Sequence, residues 1–168
     1  DYAGFKSTDI VIEAVVENID VKKRVFAELA KNVGPSTILA SNTSSLSVTE
    51  MAKSVPDPSK VIGFHFFNPV HRMPLVEIIT TDKTSPEVLA TALEFTKKLG
   101  KVPVVVKDAP GFLVNRILLG YINEAGRLLE EGGSVEAIDK LAVKFGLPMG
   151  PFTLADEVGL DVGVKVLH

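Results

Sequence analysis

The 168-residue sequence contains no cysteine and no tryptophan. Without thiols it can form neither a disulfide framework nor a thiolate metal site, and it fits a cytoplasmic setting. It has no excess of positive charge: 18 Lys and Arg stand against 21 Asp and Glu, a formal net charge of −3. With no basic footprint, nucleic acid and anionic membrane surfaces are poor candidate partners. No stretch reaches the roughly 18 consecutive apolar residues that a membrane span requires. The sequence also opens without Met, signal peptide or basic amphipathic leader and enters a strand-like run almost at once, as a piece of a longer chain would. What it does have is the composition of a soluble globular protein, 46% hydrophobic and 23% charged, in a chain long enough to bury a sizeable core.

Hydrophobic periodicity divides the chain in two. Asp9–Ala14 is short and β-branched and reads as a buried strand. From Asp20 to about Lys31 the apolar Val21, Val25, Phe26 and Leu29 recur at helical spacing, with Asp20 able to cap the start and Gly34-Pro35 ending the segment. Thr37–Ser41, Val61–Phe66 and Leu75–Ile79 read as further strands, and Val48–Lys53 as a short helix. Ser85-Pro86-Glu87 combines a cap, a proline at the first helical position and an acid facing the positive end of the helix dipole. That helix should run to Leu99, with Gly100 ending it. Val102–Val106 is a strand whose Pro103 suggests an edge or a strand start. After Asp108 only helical patterns follow, at 112–131, 134–145 and roughly 150–158, and Val162–His168 looks like a helix beginning and then stopping.

Strands alternating with helices predict an α/β fold with a largely parallel sheet, and the helical tail predicts a second domain. The expected division is 1–107 for the sheet domain and 108–168 for the helical one.

Three histidines occur, and one has an unusual setting, in Gly63-Phe64-His65-Phe66-Phe67-Asn68-Pro69. A histidine in an apolar strand is ordinarily a satisfied core residue. Glu77 changes that reading, because it too lies inside an apolar strand, where an unpaired carboxylate is expensive. A His65–Glu77 pair would satisfy both groups. It would also be general-base equipment: the carboxylate orients the ring, fixes its tautomer and stabilises the imidazolium.

Ser41–Ser45 follows the second strand directly, where open α/β sheets bind ligands beyond their carboxyl ends. Turn or cap duty is the competing reading and is preferred for Ser45 and Ser47. Asn115, among apolar neighbours, is either a hydrogen-bonded core residue or a substrate contact. His71, Arg72 and the Lys97-Lys98 pair read as solvated. Asp156 and Glu157 lack further ligands at metal-binding spacing, so no metal is expected.

Five segments in order, SNTSS, GFHFFNP, LVEII, PGFLVNR and PMGP, resemble the L-3-hydroxyacyl-CoA dehydrogenase family. The resemblance covers essentially the whole chain, and HFFNPVHRMPLVEII is most similar to the version in bacterial multifunctional fatty acid oxidation α subunits. It implies NAD-dependent oxidation of an L-3-hydroxyacyl-CoA, with His65 as catalytic base, Glu77 as its orienting partner, and Ser44 and Asn115 holding the reacting end of the substrate. Glu17, Lys22, Asn42 and Asn68 match positions on the ribose and nicotinamide side of NAD. For Glu17 and Lys22, solvated charges around a helix start are the alternative.

The resemblance implies a partial Rossmann-type NAD-binding domain, followed by an all-helical C-terminal domain. No G-x-G-x-x-G occurs, so the first βαβ block of such a domain, with its pyrophosphate cradle, is expected to precede Asp1. The chain alone should then bind NAD weakly and self-associate through its uncovered faces. An acyl-CoA is the implied substrate, a homo-oligomer or a thiolase β subunit the implied partner. A related hydroxyacid or short-chain 3-hydroxybutyryl-CoA dehydrogenase, and a non-catalytic assembly module, are the alternatives.

Overall fold

The β-branched runs become the strands of one five-stranded sheet. They are β1 (Ile10–Glu13), β2 (Ile38–Ser41), β3 (Val61–Phe66), β4 (Leu75–Thr80) and β5 (Val102–Lys107), in that spatial order. The structure, a computed structural model, describes residues 2–158. The reading of Val162–His168 as the start of a helix lies outside these residues. The chain divides into two compact units, Asp1–Phe112 and Leu113–His168.

In the first unit β1, β2 and β3 run parallel, joined through α1 (Ile19–Asn32) and α2 (Val48–Ala52). β4 reverses against β3, and β5 runs parallel to β4 after the crossover helix α3 (Pro86–Lys98). The reversal follows from the link 67–74, which is too short for a parallel crossover.

Strand alternation sorts the core onto the two faces of the sheet. Leu39, Val61 and Ile79 join Phe26 and Leu29 of α1 and Val48 and Met51 of α2. Ile38, Ala40, Ile62, Phe64, Val76 and Ile78 join Val88 and Ala92 of α3 on the other face. Each fully buried Val, Leu, Ile, Phe or Met among them contributes about 1.5–3 kcal/mol relative to an exposed one.

Two local expectations need correction. α1 is capped by Asn18, whose side chain accepts from the backbone N–H groups of Asp20 (3.0 Å) and Val21 (3.1 Å). Asp20 instead lies within the first turn, because the extended backbone that a capping residue needs occurs two positions earlier. β1 is only half-buried apart from Glu13, because it forms an edge of the sheet among the described residues. β5 forms the other edge, the position Pro103 suggested.

At α3 the cap is as expected. Ser85 accepts from the Val88 N–H at 3.3 Å, and Gly100 follows the helix in the left-handed region at φ 72°.

The second unit contains α4 (Val114–Glu130), α5 (Val135–Phe145) and α6 (Pro151–Val158). Asp139 of α5 accepts from the Phe152 and Thr153 N–H groups at 2.9 Å each and from the Thr153 hydroxyl at 2.6 Å. It thus caps α6 from a neighbouring helix, and the Thr153 hydroxyl bond leads the contributions that lower its carboxyl below the usual range. No described helix is long and apolar enough to cross a membrane.

Candidate functional site

His65 and Glu77 stand directly opposite one another on β3 and β4, in the register that also pairs Gly63 with Ile79. Residues at this alternation point toward α1 and α2, so both side chains enter a packed interior; Glu77 has no solvent exposure and His65 very little. Their Nδ1–Oε2 distance is 2.7 Å. As a carboxylate Glu77 can only accept, which puts the ring hydrogen on Nδ1 and the lone pair on Nε2.

Two aromatic rings bracket the imidazole. The Phe67 centroid lies 4.5 Å from that of His65 and the Phe112 centroid 5.8 Å. Phe112 is itself buried and holds a left-handed backbone at φ 48°, following Gly111 at φ 71°. A bulky residue in that region stores strain of order 1–3 kcal/mol, tolerated only where its surroundings impose it.

The carboxyl ends of β1 and β2 carry a second polar assembly. Glu17, after β1, accepts from the Thr43 hydroxyl (2.6 Å) and the Ser44 N–H (3.0 Å). The Ser44 hydroxyl lies 3.4 Å from the same Glu17 oxygen. Partial desolvation pushes the Glu17 carboxyl up, but the Thr43 and Ser44 hydrogen bonds, together with the Lys22 charge, outweigh it and hold it below the ordinary glutamate value.

Lys22 is 1% exposed, so the solvated reading fails for it. It occupies the same stripe of α1 as Phe26 and Leu29, four and seven residues on, and the stripe carries it inside. There its ammonium reaches both Glu13 oxygens (3.0 and 3.1 Å), the Val15 carbonyl (3.3 Å) and Glu17 (3.4 Å).

The Asn42 side-chain carbonyl accepts from the Phe66 N–H at 3.0 Å, tying the end of β2 to the residue after His65. Asn68 is exposed, just beyond β3 and before the cis-linked Pro69. Asn115 is half-buried in the first turn of α4, in the helical unit. The structure therefore brings together His65 with Glu77, Glu17 with Lys22 and Ser44, and Asn42 with the His65 strand. Ser47 caps α2 as expected, accepting from Glu50 N–H, and donates its hydroxyl to Asp108 at 2.8 Å.

Sequence reasoning missed Glu13 and Asp108, and placed Ser41 in the polar segment after β2 without foreseeing its bond to Glu13. Asp108 accepts from the Val48 (3.2 Å) and Thr49 (2.8 Å) N–H groups, closing the start of α2 from the end of β5. Glu13 offered a weaker form of the signal that marked Glu77, a carboxylate in an apolar, β-branched run but at its end rather than inside it.

The comparisons with known proteins bear on the family of the chain. The family description "3-hydroxyacyl-CoA dehydrogenase, NAD binding domain" matches residues 1–109, and "3-hydroxyacyl-CoA dehydrogenase, C-terminal domain" matches 111–168. The chain is 53% identical to the fatty acid oxidation complex subunit alpha of Shewanella amazonensis, over 99% of this chain and 24% of that protein. To the same-named subunit of Idiomarina loihiensis it is 54% identical, over 99% of this chain and 23% of that one. The chain thus spans about a quarter of the length of these relatives.

Among solved structures, (S)-3-hydroxybutyryl-CoA dehydrogenase from Ralstonia eutropha is similar with a TM-score of 0.93 and 46% identity, covering 99% of this chain and 59% of that one. The 3-hydroxybutyryl-CoA dehydrogenase of Escherichia coli gives 0.91 and 43%, covering 99% and 36%. An α/β unit with a mixed, mainly parallel sheet, a helical unit after it, and matches to both family regions over almost every residue leave one assignment: the chain belongs to the 3-hydroxyacyl-CoA dehydrogenase family.

Proposed function

We propose that the protein carrying this chain oxidises an L-3-hydroxyacyl-CoA to the 3-oxoacyl-CoA with NAD, as part of an α subunit of a fatty acid oxidation complex. The observation that carries this reading is the 2.7 Å His65–Glu77 pair in the interior. With Nδ1 held by Glu77, Nε2 of His65 takes the proton of the substrate hydroxyl, and the adjacent carboxylate stabilises the imidazolium that forms. The packed aromatic surroundings limit rotation of the ring and exclude water from it.

The residues present fit the nicotinamide side of NAD. Glu17 and Ser44 gather at the carboxyl ends of parallel strands, where such sheets bind ligands, and Asn42 is fixed beside them. When bound, NAD supplies a hydride acceptor for the substrate carbon. Glu17, Asn42 and Asn68 are the residues assigned to hold it, with Lys22 assigned to the same side through its contact with Glu17. Ser44 is assigned to position the reacting end of the substrate, and Asn115, in the first turn of α4, is the candidate substrate contact of the helical unit. The two functions divide between a cofactor domain at 1–107 and a helical domain from 108. A cytoplasmic setting, self-association and a thiolase-type partner subunit complete the reading. They rest on the cysteine-free sequence, the uncovered apolar helix faces and the relatives' being subunits of a complex.

The test is reduction of acetoacetyl-CoA by NADH in the intact protein. Turnover of both compounds in equal amounts supports the reading. A folded protein that consumes neither refutes it.

A further inference from the structure

Outside the His65–Glu77 pair, the most heavily engaged buried polar group is Glu13. No role was expected of it, yet it is buried at the end of β1 and four groups converge on it or its backbone. Lys22 donates to both carboxylate oxygens, the Val15 N–H donates to one at 3.1 Å, and the Ser41 hydroxyl donates to the other. The Glu13 carbonyl accepts from Asn42 N–H at 2.9 Å. Ser41 in turn accepts from the Thr43 N–H at 3.2 Å. Glu13 thus connects β1, α1 and the 41–45 loop through side chains that are almost wholly inside the protein.

The Lys22 ammonium has three hydrogens, and Glu13, Val15 and Glu17 supply acceptors for all of them within the fold. Its charge faces inward. It acts on the cofactor side through Glu17, whose carboxylate it helps to hold while the other Glu17 oxygen gathers Thr43 and Ser44.

We propose that Glu13, acting through Lys22 and Ser41, is the positioning residue of the cofactor side: it sets Glu17 and the Ser44 loop in the geometry that receives NAD. Its role rests on the dehydrogenase reading above. Glu13 does not touch the cofactor. Its removal should therefore weaken NAD binding by displacing residues that do, with little effect on the acyl-CoA.

The test is a fluorescence titration of NADH into the intact protein, with the fold of each variant checked by circular dichroism and steady-state kinetics run alongside. Glu13→Gln should raise the Kd for NADH tenfold or more and raise KM for NAD far more than KM for the acyl-CoA. Ser41→Ala should raise the Kd several-fold, and Ser41→Thr, which keeps the hydroxyl, should leave it at the wild-type value. A purely structural role would lower thermal stability without moving the Kd of the folded protein. Folded Glu13→Gln with wild-type affinity overturns the proposal, and if that variant does not fold, Ser41→Ala with wild-type affinity overturns it instead. Wild-type protein that fails to bind NADH at all refutes the dehydrogenase reading itself, a result distinct from wild-type binding that the variants leave unchanged.

Discussion

In the sheet unit, charged and polar side chains lie inside and are paired there: Glu13 with Lys22, and His65 with Glu77. In the helical unit the arrangement reverses. Ile117, Leu141 and Phe145 are 64%, 65% and 87% exposed, and Ala125 is the buried hydrophobic residue that its three described helices contribute to the core. The contrast separates two uses of sequence. A sheet covered on both faces has room for a buried polar site only where every group is matched, because an unmatched one costs several kcal/mol. Amphipathic helices with apolar faces in the open gain most of their stability when something covers those faces.

Four substitutions sharpen the contrast, beginning with the largest expected effect. Phe112→Ala removes a buried ring from the sheet unit and leaves a left-handed backbone without glycine. It should cost roughly 3–5 kcal/mol in urea unfolding and slow turnover by freeing His65. Gly63→Ala should cost about 1–3 kcal/mol, since its Cβ would come within 2.7 Å of the Ile79 Cβ. A loss below about 0.5 kcal/mol would show that the interior is more yielding than the contrast requires.

In the helical unit, Asp139→Ala removes the cap of α6 and should give a smaller loss, read as reduced helicity by circular dichroism. Phe145→Ser should change intrinsic stability by less than about 0.5 kcal/mol while reducing self-association in light scattering. A large stability loss there would break the contrast by showing that the exposed ring supports the fold of its own unit.

Much of this architecture was legible because the relevant physics is local. Short apolar, β-branched runs located the five strands, helical spacing the helices, and Ser85-Pro86 and Gly100 fixed the ends of α3. The His65–Glu77 pair was legible because a carboxylate in an apolar strand demands a partner, and a short link supplied one. The burial of Lys22 was not, although its place four residues before Phe26 put it on the stripe that faces the core. Its partner Glu13 went unread for the complementary reason: at the end of a strand a carboxylate can equally point to water, and only the parallel pairing of β1 with β2 sets it beside Ser41. The Asn18 cap and the left-handed Phe112 depend on backbone angles that residue type constrains weakly. The direction of β4 was readable in principle from the length of the 67–74 link.

The most direct test of the central claim is the rate of L-3-hydroxyacyl-CoA oxidation by His65→Gln in the intact protein, with NADH affinity measured beside it. The account predicts a loss of roughly 10²–10⁴-fold in kcat with NADH binding retained. A folded variant that turns over within a few-fold of wild type would contradict it, leaving the His65–Glu77 pair as part of the core and the base elsewhere.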